Sequence, residues 1–294
     1  MRIRISVIAA ICTLSVIASS ENPPALTGSE CDQNIGPIAD TWSPEPTLWN
    51  LDYIGTPEQT GTTWYDFQHN GSMTRMIAAV NLGGPDIIPV CWMNGLNSGG
   101  SQRVIYYNKK LPDGSWQYGN TGIQVNTTTR CGYCTMDLDT SGNAVIAYHG
   151  YNTAAPNLEF VWNSTGEHQL PAPPPPEYSI TWPHVCVDVR GYIHVIGMGN
   201  NSSSVQTGVL YYTRSQDGGA TWIPWVFVDS LGTIATVSQT ACADLATGKV
   251  ALAWIVPVSN TQTRGEIYYV ESTDGVTWNF ANPINMTNFE TAGH

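Results

Sequence analysis

The sequence predicts an all-β protein, a β-propeller of four-stranded blades, with about four blades visible in this chain. Three observations carry the prediction. A β-branched and aromatic run returns four times, as Val104-Ile105-Tyr106-Tyr107, Leu158-Glu159-Phe160-Val161, Val209-Leu210-Tyr211-Tyr212 and Glu266-Ile267-Tyr268-Tyr269. Its positions 106, 160, 211 and 268 stand 54, 51 and 57 residues apart, which is the length of one blade. Three copies then pass through a polar turn to a Trp: Pro112 to Trp116, Ser215 to Trp222, and Ser272 to Trp278. Upstream of the later copies lies a strand, a tight turn and a second strand, at Cys134 to Tyr148, Cys186 to Val195, and Cys242 to Trp254. Short apolar runs broken by Gly or Asn turns read as hairpins. No segment after the first twenty residues shows a long helical period with caps.

Taken in order, residues 1–20 read as a secretory signal peptide. Arg2 and Arg4 make a basic start, Ile5 to Ala18 is apolar but short for a membrane span, and Ala18-Ser19-Ser20 offers a small-residue cleavage site. Residues 21–60 form a lead-in rich in Pro, Thr and Glu, in which Trp49 to Ile54 is expected as an outer strand that helps close the ring. The propeller occupies 61–294, with blades at about 61–125, 126–180, 181–235 and 236–288. Blade 1 follows the plan more loosely, through Met76 to Val80, a Gly83-Gly84-Pro85 turn, and Asp86 to Met93. Pro171 to Pro176 is a stiff connection between blades 2 and 3. Only Asn288 to His294 follow blade 4, so the expectation is the N-terminal part of a six- or seven-bladed ring.

Eleven Lys and Arg against 23 Asp and Glu give a net charge of −12. Without Arg2 and Arg4 the balance is −14, with nine basic residues left. That argues against nucleic acid, whose binding is built on Lys and Arg. No further stretch is long and apolar enough to span a membrane, so the mature chain is expected to be secreted, periplasmic or held at the cell surface. Of the seven Cys, one sits in the leader run, and Cys186 and Cys242 hold equivalent repeat positions on inner strands, where they read as small buried hydrophobes. Cys131-Gly132-Tyr133-Cys134 has redox-pair spacing but lies at a strand start, outside a thioredoxin-like context.

The turns Ser215 to Trp222 and Ser272 to Trp278 resemble the Asp box, S-x-D-x-G-x-x-W, of the sialidase-like propellers that carry bacterial neuraminidase repeats. The first matches at every defined position, and the second is one residue shorter. The resemblance implies a propeller fold from about residue 61 onward. It also implies a structural part for Ser215, Asp217, Gly219, Trp222, Ser272, Asp274, Gly275 and Trp278: the Asp accepts N–H bonds of its own turn, Gly allows positive φ, and Trp packs beneath the blade.

Strand order places these turns at one end of every blade, and the B–C and D–A loops at the other. Ligand-binding candidates on that loop face are Trp64, Tyr65, His69, Arg75, Arg130 and His149, because aromatics beside polar side chains suit the apolar faces and hydroxyls of a carbohydrate. The family resemblance implies an arginine triad, an Asp acid/base, and a Tyr–Glu pair for hydrolysis. Arg75 stands near the family's first arginine but lacks its Arg-Ile-Pro motif, and the loop from Asn94 to Gln102 has no carboxylate. Asp66 and Arg75 are therefore the catalytic candidates within a set that is not complete. Asp137, Asp139 and Ser141 place oxygens at alternate positions, as a calcium loop does, and also read as a hairpin turn. The six His show no compact zinc spacing, and no motif asks for a cofactor. The functional expectation is an exported module that binds an extracellular glycan or glycoprotein. The alternative is an exo-acting glycoside hydrolase of sialidase type whose remaining catalytic residues lie beyond the chain end.

Overall fold

The computed structural model describes residues 3–7, 57–65, 68, 75–80, 86–127, 130–150, 158–174, 179–200, 208–232, 239–257 and 265–287. Residues 6–58 form one compact unit, and residues 1–5 with 59–294 form another, which holds all the blades. Trp49 to Ile54 lie outside the described residues, as do Asp66 and His69.

Every regular element described is a strand. A short pair, β1 (Ile3–Val7) and β2 (Glu58–Thr63), makes a two-stranded sheet. Blade 1 is β3 (Ile88–Gly95), β4 (Arg103–Lys110) and β5 (Ile123–Gln124), with bridges from Ile77 to Val90 and from Val80 to Ile87 in place of a first strand. Blade 2 is β6 (Cys131–Leu138), β7 (Ala144–Gly150), β8 (Leu158–Asn163) and β9 (Gly166–Gln169). Blade 3 is β10 (Ser179–Val187), β11 (Ile193–Asn200), β12 (Gly208–Ser215) and β13 (Val226–Gly232). Blade 4 is β14 (Gln239–Ala243), β15 (Val250–Pro257), β16 (Gly265–Ser272) and β17 (Ile284–Asn285). Each blade is an antiparallel meander in chain order, and together they make an all-β propeller architecture. The four aromatic runs are β4, β8, β12 and β16, the third strand of the four-stranded blades 2, 3 and 4 and the middle strand of the three-stranded sheet of blade 1.

The first strand β10 lies against β6 on one side and β14 on the other. A first strand has a blade neighbour on one edge only, so its other backbone groups need partners from elsewhere. Side chains of the preceding blade supply them. Val185 N–H donates to Thr135 Oγ1 at 3.2 Å, and Val187 N–H to Asp137 Oδ2 at 2.8 Å. Ala241 N–H donates to His184 Nδ1 at 3.2 Å.

Between blades the packing is apolar. Met93, Ile105 and Met136 fill the seam from blade 1 to blade 2. Val145, Val161, Val185 and Val195 fill the next, and Ile196, Leu210, Leu252 and Trp254 the one after. All seven residues of β7 are buried, which is why Ala144 to Tyr148 read as a continuous apolar run rather than an alternating one.

The A–B turns of blades 2, 3 and 4 are the same turn. Asp139 Oδ1 accepts the Ser141 N–H, Asp188 Oδ1 the Arg190 N–H, and Asp244 Oδ1 the Ala246 N–H. Each closes on a glycine at positive φ: Gly142, Gly191 and Gly248. The C–D turns share a second rule. Asp113, Asn163, Asp217 and Asp274 each accept a backbone N–H two to four residues on, from Ser115, Thr165, Thr221 and Val276. Arg190 ties the two sets together at one end, donating to the carbonyls of Gly248 and Thr273.

Among the described residues no helix is long and apolar enough to cross a membrane.

Candidate functional site

The site lies at the loop end of blades 1 to 3, where the repeat is broken. Among the described residues two non-glycine residues have positive φ, Tyr133 at 51° and Trp182 at 52°. Both sit in bulges of first strands, between Gly132 and Thr135 in β6 and between Thr181 and His184 in β10. A bulge re-aims a side chain, and bulges and strained φ gather at functional sites.

Four aromatic side chains meet there. The Tyr65 hydroxyl lies 3.4 Å from that of Tyr133, and the Arg103 guanidinium covers the Tyr65 ring at 4.7 Å. Tyr133 neighbours the His149 ring at 5.7 Å, and His149 meets Trp182 edge-on at 6.4 Å. Tyr65 is held locally. Thr63 Oγ1 accepts the N–H groups of Tyr65 and Gly95, and a Cβ on Gly95 would stand 2.8 Å from Tyr65 N. Arg130 enters beside Arg103 through a parallel bridge. Arg103 over Tyr65 is a cation–π contact.

His149 is the floor. Burial, with the Arg103 charge second, pushes its pKa down to about 3. Its Nδ1 accepts the Trp182 backbone N–H at 3.2 Å, so the neutral ring carries its proton on Nε2. Gly132 makes room for that nitrogen, since a Cβ there would stand 3.0 Å from Nε2. Burial, with the Tyr65 hydrogen bond next, pushes Tyr133 up to about 12.

Beneath His149 lies Glu159, its direct cross-strand partner. Glu159 is 2% exposed, and neither carboxylate oxygen has a hydrogen-bond partner among the described residues. Burial drives its pKa well above the ordinary carboxylate range, which favours the uncharged acid. Its Oε1 lies over Gly197 of β11, where a Cβ would come within 2.6 Å.

Of the residues expected on the loop face, the structure brings together Tyr65 and His149, with Trp64 next to Tyr65 in the chain and Arg130 beside Arg103. Arg75 goes elsewhere. Its guanidinium pairs with Asp137 at 2.6 Å, toward the end of β6 that carries the A–B turn. There a cavity of about 510 Å³ is lined by Arg75, Asp137, Asp139, Asp188, Val189 and Leu245. The oxygens of the candidate calcium loop serve separate partners. Asp137 holds Arg75 and the Val187 N–H, while Asp139 accepts from Ser141 and Asn143 of its own turn. Among the described residues no group of three or more His, Cys, Asp or Glu is placed to hold a metal ion.

The two Asp-box-like turns are closed by their own side chains. Ser215 Oγ donates to Asp217 Oδ1 at 2.8 Å and accepts the Gly219 N–H, and Trp222 Nε1 donates to the Gly219 carbonyl. In blade 4, Asp274 Oδ1 accepts from Ser272 Oγ and from the N–H groups of Val276 and Thr277. Under Gly275 lies a chain from Asp188 to His194 Nε2 at 3.5 Å, and from His194 Nδ1 to the Tyr212 hydroxyl at 2.8 Å. Its residue types suit a base and its orienter. All three are sealed from solvent, with Trp278 against both His194 and Tyr212.

Sequence reading missed Arg103, Tyr133, Glu159, Trp182 and Gly197. The signal was there in the repeat. At the register pair that faces the next blade, three blades carry Met93–Ile105, Met198–Leu210 and Ile255–Ile267, and blade 2 carries His149–Glu159. At the neighbouring pair, Trp92, Tyr148 and Trp254 stand where blade 3 has Gly197.

No protein-family model matches the sequence, and no curated protein matches it. Solved structures do. An ulvan lyase of a new polysaccharide lyase family, in a structure bound to -[GlcA(1-4)Rha3S]-, aligns at 14% identity and a TM-score of 0.46 over 74% of this chain and 58% of that one. The Hadza microbial sialidase aligns at 16% identity and 0.37, over 72% and 46%. A thermostable family-43 glycoside hydrolase aligns at 12% identity and 0.40, over 76% and 77%. The chain thus spans 57 to 60% of the length of the polysaccharide lyases it is similar to.

Proposed function

We propose that this protein is an exported propeller that binds a glycan, or the glycan of a glycoprotein, at the mouth formed by Tyr65, Arg103, Tyr133, His149 and Trp182. The observation that carries the reading is the contact chain Tyr65–Tyr133–His149–Trp182, drawn from blades 1, 2 and 3. Aromatic rings offer faces to the C–H groups of a sugar ring, and the tyrosine hydroxyls and Arg103 offer hydrogen bonds to its hydroxyls. Such a site fixes orientation with a few polar groups set among apolar ones. Export rests on the leader-like residues 1–20, and the structural part of the Asp-box-like turns rests on their self-contained hydrogen bonds.

Hydrolysis of sialidase type would need the Asp acid/base and the Tyr–Glu pair that the family resemblance implies. Within the described part of the mouth the carboxyl is Glu159, buried beneath His149 rather than facing the opening. Two assays on the purified chain test the reading together. A glycan array should give a defined set of positive glycans, and a fluorogenic sialoside should not be turned over. An array without signal sinks the binding reading. Turnover that is lost in Arg75→Ala or in Asp66→Ala would replace it with the hydrolase.

A further inference from the structure

The repeat supplies its own reference for what each interface position needs structurally. Where a blade faces the next, the register pair on the second and third strands is apolar in blades 1 and 3. Met93, Ile105, Met198 and Leu210 are there fully buried. Blade 2 puts two ionisable residues in the same place, and the facing strand of blade 3 gives up a large aromatic for Gly197. An acid buried without partners destabilises a fold, since its hydration is lost and nothing replaces it. Three departures at one spot, directly under two bulges with positive-φ aromatics, are not explained by packing. A sequence that otherwise agrees with its fold breaks its rules mainly where function intervenes.

We infer that Glu159 is a positioning residue for His149, that the two form one buried acid–base pair beneath the aromatic mouth, and that the apolar pair of the neighbouring blades has been given up for it. The inference rests on the mouth being a ligand site, and it names the group that sets the hydrogen-bonding state of the mouth's floor. Glu159 faces His149 from β8, Tyr133 from β6, and Arg103 from β4 across Tyr65, while β10 contributes the Trp182 N–H. Arginine stays cationic throughout. Tyr133 is pushed up to about 12. Glu159, its carboxyl raised by burial, is therefore the group expected to change charge against the His149 ring as pH rises. Ionised, it would draw the ring toward its charged form; uncharged, it leaves the ring neutral with Nδ1 held by Trp182.

The test needs no ligand, so it stands or falls apart from the glycan array. His149 ring signals are followed by nuclear magnetic resonance against pH in the full chain, in Glu159→Gln and in Glu159→Leu, with melting temperatures for all three. The expected result is a single step in the His149 signals above the ordinary carboxylate range, absent in both variants, with Glu159→Leu melting several degrees higher than the parent. Glu159→Gln keeps the shape and removes the ionisation, so it decides the matter even where Glu159→Leu repacks. A His149 signal that is flat with pH in the parent, a step that survives in Glu159→Gln, or a lower melting temperature for Glu159→Leu would each overturn the inference. A step with an empty glycan array would keep the pair and sink the ligand reading instead.

Discussion

A Cβ placed on Gly197 would stand 2.6 Å from Oε1 of Glu159 and equally close to Cγ2 of Ile180. Blade 3 thus has no side chain at a position where the other blades carry Trp92, Tyr148 and Trp254, and the acid of the preceding blade fills the room. The two residues are 38 apart in sequence, one on β8 and the other on β11. Neither makes structural sense without the other.

Gly197→Ala should therefore overpack this seam and destabilise the protein by about 1–3 kcal/mol. Combining it with Glu159→Ala should recover part of that loss, because one of the two contacts disappears. Urea unfolding of the four members of the cycle gives the coupling, expected at about 0.5 kcal/mol or more. Strictly additive losses would mean that the two side chains do not share the space.

Acid should weaken the fold from near pH 6.5 downward. Burial pushes His149 down to about 3, and His184 to about 4. Both folded-state values lie below the unfolded value, so the unfolded chain binds more protons across the window. The stability these residues contribute is fully present above about pH 6.5 and is lost as pH falls through the folded values. Glu159 acts with the opposite sign: its folded value is raised by burial, so its contribution is present at low pH and lost as pH rises through that value. Melting temperatures across pH 4 to 9 should pass through a maximum, and Glu159→Gln should flatten the alkaline side. An unchanged alkaline limb in that variant would contradict the burial of an uncharged acid.

The propeller was legible because its signal repeats. Four aromatic runs, near-identical hairpins and two turns of S-x-D type each point to the same strand order, so an error in one copy is corrected by the others. The site was not legible for the same reason turned around. Glu159 stood in plain view inside one of the four aligned runs, but its departure carries meaning only once Met93–Ile105 and Met198–Leu210 are known to be its register counterparts. The place of Arg75 near the start of blade 1 points to the loop face. A long side chain can reach either end, and Asp137, pairing at 2.6 Å, draws it toward the A–B turns. Tyr133 and Trp182 were hidden by their bulges, since a bulge reverses the face that a period of two predicts.

The C–D turns should matter for folding and not for the mouth. Asp217 is held down to about 2, first by the Thr221 hydroxyl and then by its N–H, and Asp274 is also lowered, chiefly by the Thr277 and Val276 N–H groups. Removing either carboxyl leaves turn donors to water. Asp217→Ala and Asp274→Ala are expected to lower the melting temperature while glycan-array signals at saturating protein stay as in the parent. Loss of array signal at unchanged melting temperature would move these residues from structure to binding.

The most direct test of the account asks which end of the blades meets the ligand. Glycan-array binding by the parent chain is compared with Tyr133→Ala at the loop mouth and Arg75→Ala at the turn-end cavity, all three shown to be folded by circular dichroism. The account predicts that Tyr133→Ala weakens binding to the positive glycans about tenfold or more, while Arg75→Ala leaves it within about twofold. Binding that survives in Tyr133→Ala and collapses in Arg75→Ala would contradict it and place the site at the cavity lined by Arg75 and Asp137.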